Sequence, residues 1–322
     1  MQLSIIIPVF NCYDLTKSCL LSLKESCFNS DIEIIVVDNG SNDETINELD
    51  SFGLDIFKNN FNCIHLDKNL GFAKACNLGA KKAQGEILFF LNNDTICTPN
   101  FLSPLLNSIE KNNIGAVGPL LCYPNNTIQH IGIAFSPFLK VSHIYEHFPK
   151  NHEVVSKKRP LQAITAAALL IRKSIFFECN LFCEEYLNGY EDMDLCFSLK
   201  NKGYKVDVIS DSCIIHYTSS TSGRFDHESN NAKLLQSRWS NIIKPDLHIL
   251  AYLDGFNVFI DKDLKCLVVG KDEVIKDEID INEDDIKIKS AIVKKVRREA
   301  INKNDKKLEI LMDDWLNRYR LR

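Results

Sequence analysis

Two segments of the chain are apolar without alternation, Ser4 to Phe10 (SIIIPVF) and Ile87 to Leu91 (ILFFL), and a third, Ile32 to Val37 (IEIIVV), is nearly so. Runs of this kind predict strands covered on both faces, as in a parallel sheet. Between them the period changes. Leu15, Cys19, Leu20 and Leu23 recur at helical spacing. A second helix is predicted from about Asp43 to Leu49, after the turn cluster Asp38-Asn39-Gly40-Ser41, and a third from Phe72 to Ala83, opened by Asn69-Leu70-Gly71 and closed before Gly85. With a short strand at Cys63 to Leu66, the alternation predicts an α/β fold: a mostly parallel central sheet flanked by helices.

Further on, a helix between Pro99 and Ile114 carries Phe101, Leu102, Leu105, Leu106 and Ile109 on one side and leads to a strand at Gly115 to Leu121. Gln129-His130 and His143 to His147 fall in a loop-rich region; a ligand role is open to these histidines, but loop histidines are mostly solvated and none is assigned one. Ala163 to Ile171 reads as a small-residue strand. A helix opened by Gly189-Tyr190-Glu191-Asp192 runs to Gly203, followed by strands at Tyr204 to Ile209 and Ser212 to His216. Thr218 to Asn231 has the composition of a mobile lid. Leu247 to Phe259 and Leu264 to Val269 read as two strands or as a helix and a strand, with an acidic stretch, Asp272 to Asp285, after them. Ile286 to Arg322 has helical periodicity and a basic bias, with Trp315, Leu316 and Tyr319 near its end. The expected division is an α/β domain over residues 1–240 and a partly helical C-terminal extension over 241–322, serving for packing or for interaction.

A chain of 322 residues, 45% hydrophobic and 25% charged, can bury a sizeable core. Its net charge of -5 argues against a nucleic-acid partner, which would call for a basic domain. Met1 to Ser4 leads straight into the first strand, with no signal-peptide core and no apolar run of membrane-spanning length, so a cytoplasmic location is expected. The twelve cysteines sit mostly in apolar periodic segments and read as free thiols. There is no Cys-x-x-Cys pair, and Cys179, Cys183 and His216 match no common zinc spacing.

The candidate chemistry lies where the strands end. Ile87 to Leu91 runs directly into Asn92, Asn93 and Asp94, which delivers a carboxylate and two amides to the sheet edge where ligands of open α/β sheets collect. A hard cation with phosphate oxygens suits that edge; an Asn/Asp turn is the plain alternative. The first strand is followed by Asn11-Cys12-Tyr13-Asp14, without the glycine fingerprint of dinucleotide-binding enzymes, which excludes a dehydrogenase of that type. Glu191, Asp192 and Asp194 fall in one first helical turn, where acids favour the helix dipole whatever else they do.

The succession IIIPVFN, VVDNGSND, NLGFAKACNLGAKKAQGE and ILFFLNNDT resembles the nucleotide-sugar half of the inverting family-two glycosyltransferases, which have the GT-A fold. GPLLCYPNNTIQHIG, ITAAALLIRKSIF, GYEDMDLCFSLKNKGYKV and CIIHYTSSTSG resemble their acceptor half, in the branch of bacterial rhamnosyltransferase-like and surface-glycan enzymes. The resemblance covers roughly Gln2 to Ser240 and makes 1–240 a catalytic domain. It implies that Pro8, Phe10 and Asn11 line a base pocket, that Asp38 binds the base, and that the segment from Gly71 to Asn77 borders the diphosphate. It further implies that Asn92 and Asn93 contact the donor, that Asp94 and His216 hold a divalent metal ion, and that Asp192 is the general base with Glu191 as its support. Two positions depart from the family pattern: Asn92 replaces the first acid of the Asp-x-Asp motif, and Cys76 stands where relatives often carry an arginine.

The function implied is a metal-dependent (Mn2+ or Mg2+) inverting glycosyltransferase. It would move a sugar from a nucleoside-diphosphate sugar, UDP- or dTDP-linked, to a glycan, lipid-linked or protein acceptor, as in bacterial surface-glycan or flagellin glycosylation. A catalytically silent nucleotide-sugar-binding scaffold and a nucleotidyltransferase are the alternatives; the latter would need a glycine- and lysine-rich loop after the first strand, which is missing. The C-terminal segment reads as a packing helix, a homo-oligomer or partner contact, or a peripheral contact at the inner face of a membrane.

Overall fold

The computed structural model describes residues 2–218, 227–271, 273 and 283–319, in two compact units. The first comprises residues up to Ile133, Tyr145–Ser156 and Pro160–Ile242; the second comprises Ala134–Ile144, Lys157–Arg159 and the chain from Ile243 onward.

The elements begin with β1 (Leu3–Val9), α1 (Tyr13–Ser26), β2 (Ile32–Asp38), α2 (Thr45–Phe57), β3 (Phe61–His65), α3 (Phe72–Lys82), β4 (Ile87–Leu91), β5 (Thr95–Cys97) and α4 (Leu102–Ile109). Next come β6 (Ile114–Cys122), β7 (Ile128–His130), β8 (Ile133–Phe135), β9 (Val141–His143), β10 (Ala168–Arg172), α5 (Lys173–Glu178), α6 (Glu191–Asn201), β11 (Lys205–His216) and α7 (Glu228–Trp239). The chain continues through α8 (Leu247–Leu253), β12 (Asn257–Ile260), β13 (Cys266–Val269), α9 (Glu283–Asn302) and α10 (Lys306–Arg318).

Among the described residues, one sheet orders its strands β3-β2-β1-β4-β10-β6-β11-β5, with β7 alongside β6. β3, β2, β1 and β4 are mutually parallel, so the carboxyl ends of β1, β2 and β4 share one edge. The unalternated runs take the positions predicted for them: every residue of β2 and all but Pro8 of β1 are buried, because helices cover both faces. Their side chains join Leu20, Leu23, Phe89 and Leu105 in one core. β10 runs antiparallel to β4 and β6, β11 runs parallel to β6, and β5 runs antiparallel to β11.

Two strand expectations change, and His130, expected in solvent, is buried on β7. The strand expected over Ala163 to Ile171 is confined to Ala168–Arg172, because Ala166 and Ala167 spend their backbone groups on Asp192 and Asn92 instead of a ladder. The two strands expected over Tyr204 to His216 are one, β11, with a register shift between Ile209 and Cys213. Of the stretch expected as a lid, residues 219–226 lie outside the described residues, and its end is the first turn of α7. Much of the acidic stretch likewise lies outside them.

The second unit pairs β12 antiparallel with β13, and the predicted C-terminal helix is two helices, broken at Asn304-Asp305, where the Asp305 side chain accepts from the Leu308 N–H and caps α10. Trp315 and Tyr319 are buried in that unit's own core with Val258, Ile260 and Val293. Among the described residues no helix is long and apolar enough to cross a membrane.

Candidate active site at the sheet edge

β4 delivers the chain to Asn92, whose N–H donates to the Ala167 carbonyl at 2.9 Å. β5 then turns back against β11 with Thr95 opposite His216. That register sets Asp94 beside the histidine: Asp94 Oδ1 lies 3.0 Å from His216 Nε2, with the side chains only 6% and 3% exposed. The Asn92 amide nitrogen is 3.3 Å from the same Nε2. Asn93 diverges and donates to Thr16 Oγ1 of α1 at 2.9 Å, so it braces the helix. Of the three residues at this strand end, Asn92 and Asp94 therefore converge on His216.

Gln129, on β7, went unassigned in the sequence and proves to hold the histidine. Its amide nitrogen donates to the His216 carbonyl at 3.0 Å and its Oε1 lies 2.6 Å from Nδ1. With the amide nitrogen committed, Oε1 is the acceptor and Nδ1 carries a proton, so in the neutral ring it is the Nε2 lone pair that faces Asp94. An imidazole lone pair and a carboxylate oxygen facing each other in a buried site form a donor set that fits a divalent cation.

The acidic helix reaches the same end. Gly189 (φ +135°) and Tyr190 (φ +79°) form a turn before α6, closed by the Gly189 N–H donating to Glu191 Oε2 at 2.8 Å. From α7, the Asn231 amide bonds the carbonyls of Leu187 and Gly189. Asp192 is half-buried, and its Oδ2 accepts from the Ala166 N–H at 3.1 Å. Because the next residue, Ala167, holds Asn92, the Asp192 carboxylate and the strand end bearing Asp94 are fastened to adjacent residues of one backbone segment. Burial, reinforced by the Glu228 and Asp192 carboxylates, pushes the Tyr190 phenol up to about 12 and keeps it protonated.

Asp194, in the same helical turn, has a different task. Its Oδ1 accepts from Tyr186 Oη (3.0 Å), Arg238 Nε (2.7 Å) and Trp239 Nε1 (2.6 Å), which ties α7 to α6.

The ends of β1 and β2 are stitched together. Asn11 and Cys12 both have left-handed backbone, φ +59° and +62°; the Asn11 N–H donates to Ser41 Oγ and its side-chain oxygen accepts from the Asn42 N–H, each at 2.8 Å. Asp38 is buried, with Oδ1 accepting from the Ser41 N–H at 2.9 Å and Oδ2 at 2.9 Å from His65 Nδ1. Asn39, also missed in the sequence, accepts from the Leu70 N–H and donates to the Gly71 carbonyl, docking the turn in which Gly71 adopts φ +90°. Pro8 and Phe10 are half-buried beside this junction. Asn77 is consumed by packing: it donates to the Phe182 carbonyl (2.9 Å) and Glu184 Oε1 (3.0 Å) and accepts from the Phe182 N–H (3.0 Å). Any influence it has on a ligand passes through the 182–184 loop. Lys74 is exposed and Cys76 fully buried.

Residues 4–177, more than half of the chain, match the family model for glycosyl transferase family 2. Among similar curated proteins, an uncharacterised protein of Sinorhizobium fredii is 25% identical over 249 residues, 73% of this chain and 27% of its own length. The O-antigen biosynthesis protein RfbC of Myxococcus xanthus is 27% identical over 229 residues, 68% of this chain and 18% of its own. The chain thus matches only about a quarter or less of the length of these relatives. Among solved structures, S. aureus TarS 1-349 in complex with UDP-GlcNAc superposes at TM-score 0.55 and 20% identity, over 79% of this chain and 72% of that one. The mannosyltransferase PcManGT of Pyrobaculum calidifontis, in complex with GDP-Man and Mn2+, superposes at TM-score 0.53 and 13% identity, over 79% of each chain. The fold is GT-A with a C-terminal helical extension, and the chain belongs to glycosyl transferase family 2.

Proposed function

We propose that the chain is a metal-dependent, inverting glycosyltransferase that moves a sugar from a nucleoside-diphosphate sugar to a hydroxyl of a glycan, lipid-linked glycan or protein. The observation that carries this reading is the convergence of Asp94 and His216, 3.0 Å apart with the histidine's tautomer set by Gln129, beside an Asp192 held on the same backbone segment. Asp94 and His216 would hold the metal, with the Asn92 amide beside them. When bound, a Mn2+ or Mg2+ ion there offsets charge that builds on the diphosphate leaving group. Asp38 and the Pro8–Asn11 turn receive the nucleotide base, and the Gly71 turn borders the diphosphate.

Asp192 takes the proton of the acceptor hydroxyl as that oxygen attacks the sugar carbon from the face opposite the leaving group, which inverts the configuration. A carboxylate suffices because the hydroxyl loses its proton mainly as the new bond forms. Glu191 supports the role by closing the turn on which Asp192 stands. The relatives support this reading in kind: the named one serves O-antigen biosynthesis, and the two structural neighbours bind a UDP-sugar and a GDP-sugar.

A thermal-shift panel of UDP-, dTDP-, GDP- and CMP-sugars with Mn2+ or Mg2+ tests it. One nucleotide class should raise the melting temperature with metal and fail to do so in EDTA, since a ligand selective for the folded state stabilises by mass action. No shift with any of them would count against the proposal.

A further inference from the structure

We propose that Asp50, Cys63 and His65 form a second metal site, of the zinc class, at the open edge of the sheet, with Asp38 orienting its histidine. Cys63 and His65 are two residues apart on β3, the edge strand, and so share one face of it. Asp50 stands on α2, the helix that precedes the strand. One donor atom from each, a carboxylate oxygen, a thiol sulfur and a ring nitrogen, lies within 4.8 Å of the other two. Zinc bonds of about 2.0–2.3 Å put tetrahedral ligand atoms roughly 3.5 Å apart, so shifts of about an ångström close the set.

The histidine is already arranged as a ligand. Its Nε2 faces the two Asp50 oxygens at 3.1 and 3.2 Å, while Nδ1 lies 2.9 Å from Asp38 Oδ2. Asp38 is itself pinned by the Ser41 N–H. A carboxylate that accepts the hydrogen bond from Nδ1–H fixes the tautomer and leaves Nε2 for the metal, as metal-ligating histidines regularly show. The His65 side chain is 40% exposed, which leaves an entry path and room for a water as fourth ligand. Burial and the Asp50 carboxylate push the Cys63 thiol up, and a cation placed between these groups reverses that, since a coordinating thiol is deprotonated outright. The donor set also selects the ion: thiolate and imidazole favour zinc, whereas the Asp94 and His216 set has no sulfur and suits manganese or magnesium. In the absence of metal the competing occupant is a proton, which makes His65 an imidazolium between two carboxylates.

The test uses the full chain, stripped with chelator and titrated with Co2+ as a spectroscopic stand-in, then with Zn2+. The expected result is one equivalent of cobalt with a thiolate-to-cobalt charge-transfer band, bleached by zinc but not by magnesium. Cys63→Ser should abolish the band, and Asp38→Asn should weaken zinc binding about 10- to 100-fold. Asp50→Asn, a change on an exposed helix face, should weaken it too and serves if Cys63→Ser does not fold. Asp94→Ala should leave the band unchanged, which separates this site from the proposed catalytic metal. Absence of a charge-transfer band, a band that survives Cys63→Ser, or undiminished zinc affinity in Asp50→Asn would overturn the proposal.

Discussion

Two histidine–carboxylate pairs stand at strand ends of one sheet. His216 lies 3.0 Å from Asp94 with both side chains nearly wholly buried; His65 lies 2.9 Å from Asp38, whose carboxylate is buried while the imidazole is 40% exposed. In the first pair an amide, Gln129, takes the second ring nitrogen and leaves the carboxylate and the imidazole lone pair facing one point. In the second the carboxylate itself takes Nδ1, and the other nitrogen looks outward to Asp50. The same two side chains thus become an interior set of oxygen and nitrogen donors in one place and an orienter-and-ligand arrangement beside a half-buried thiol in the other. If both proposals hold, the third residue, Gln129 or Cys63, distinguishes what the two pairs would bind.

The largest effect expected concerns the chemistry assigned to the buried pair's end of the sheet. Asp192→Asn keeps the shape and removes the proton acceptor, and it should cut sugar transfer by about two to four orders of magnitude while donor affinity changes little. Near-normal turnover by this variant, with an identified acceptor, would detach catalysis from the Asp192 turn. Next in size is the clamp. Gln129→Leu removes the group that sets the His216 tautomer, and manganese affinity, followed by the metal dependence of donor binding, should fall about 10- to 100-fold. An unchanged dependence would mean that the tautomer is set by something other than Gln129.

The smallest effect belongs to the exposed pair. The hydrogen bond to Asp38, opposed by partial burial and aided by Asp50, raises the His65 pKa above its ordinary 6.5. A histidine raised in the folded state contributes stability that is fully present below the unfolded value and lost as pH rises through the folded one. Urea midpoints measured with chelator present should therefore decline for the parent across the window from about 6.5 upward, and this part of the decline should vanish in His65→Gln. Identical pH profiles for the two proteins would show that the imidazolium bridge contributes nothing.

The sheet was legible where residues are buried on both faces. The runs around Ile5, Val36 and Phe89 hold one interior polar residue at most, Ser4 or Glu33, too few to suggest alternation, and the strands appear where the pattern puts them. Legibility failed where tertiary partners decide. Thr165 to Ala167 reads as strand because alanines pair anywhere, yet its backbone groups serve Asp192 and Asn92. The role of Asn77 was equally invisible, since its partners at Phe182 and Glu184 are more than a hundred residues away. Gln129 and Asn39 carried no local signal beyond standing next to His130 and Asp38. A glutamine in a loop-rich stretch becomes a clamp only when β7 folds back beside β6. Trp315 reads equally as an exposed anchor or a core residue until the β12–β13 hairpin is there to cover it.

The claim on which most rests is that Asp94 and His216 hold a divalent ion that the nucleotide sugar needs. Calorimetric titration of the parent and of Asp94→Ala with the preferred nucleoside-diphosphate sugar, each in manganese and in EDTA, tests it directly. Tight binding is expected for the parent in manganese alone, with equally weak binding in the other three conditions; equal affinity of the parent in EDTA and in manganese would contradict a metal held by Asp94 and His216.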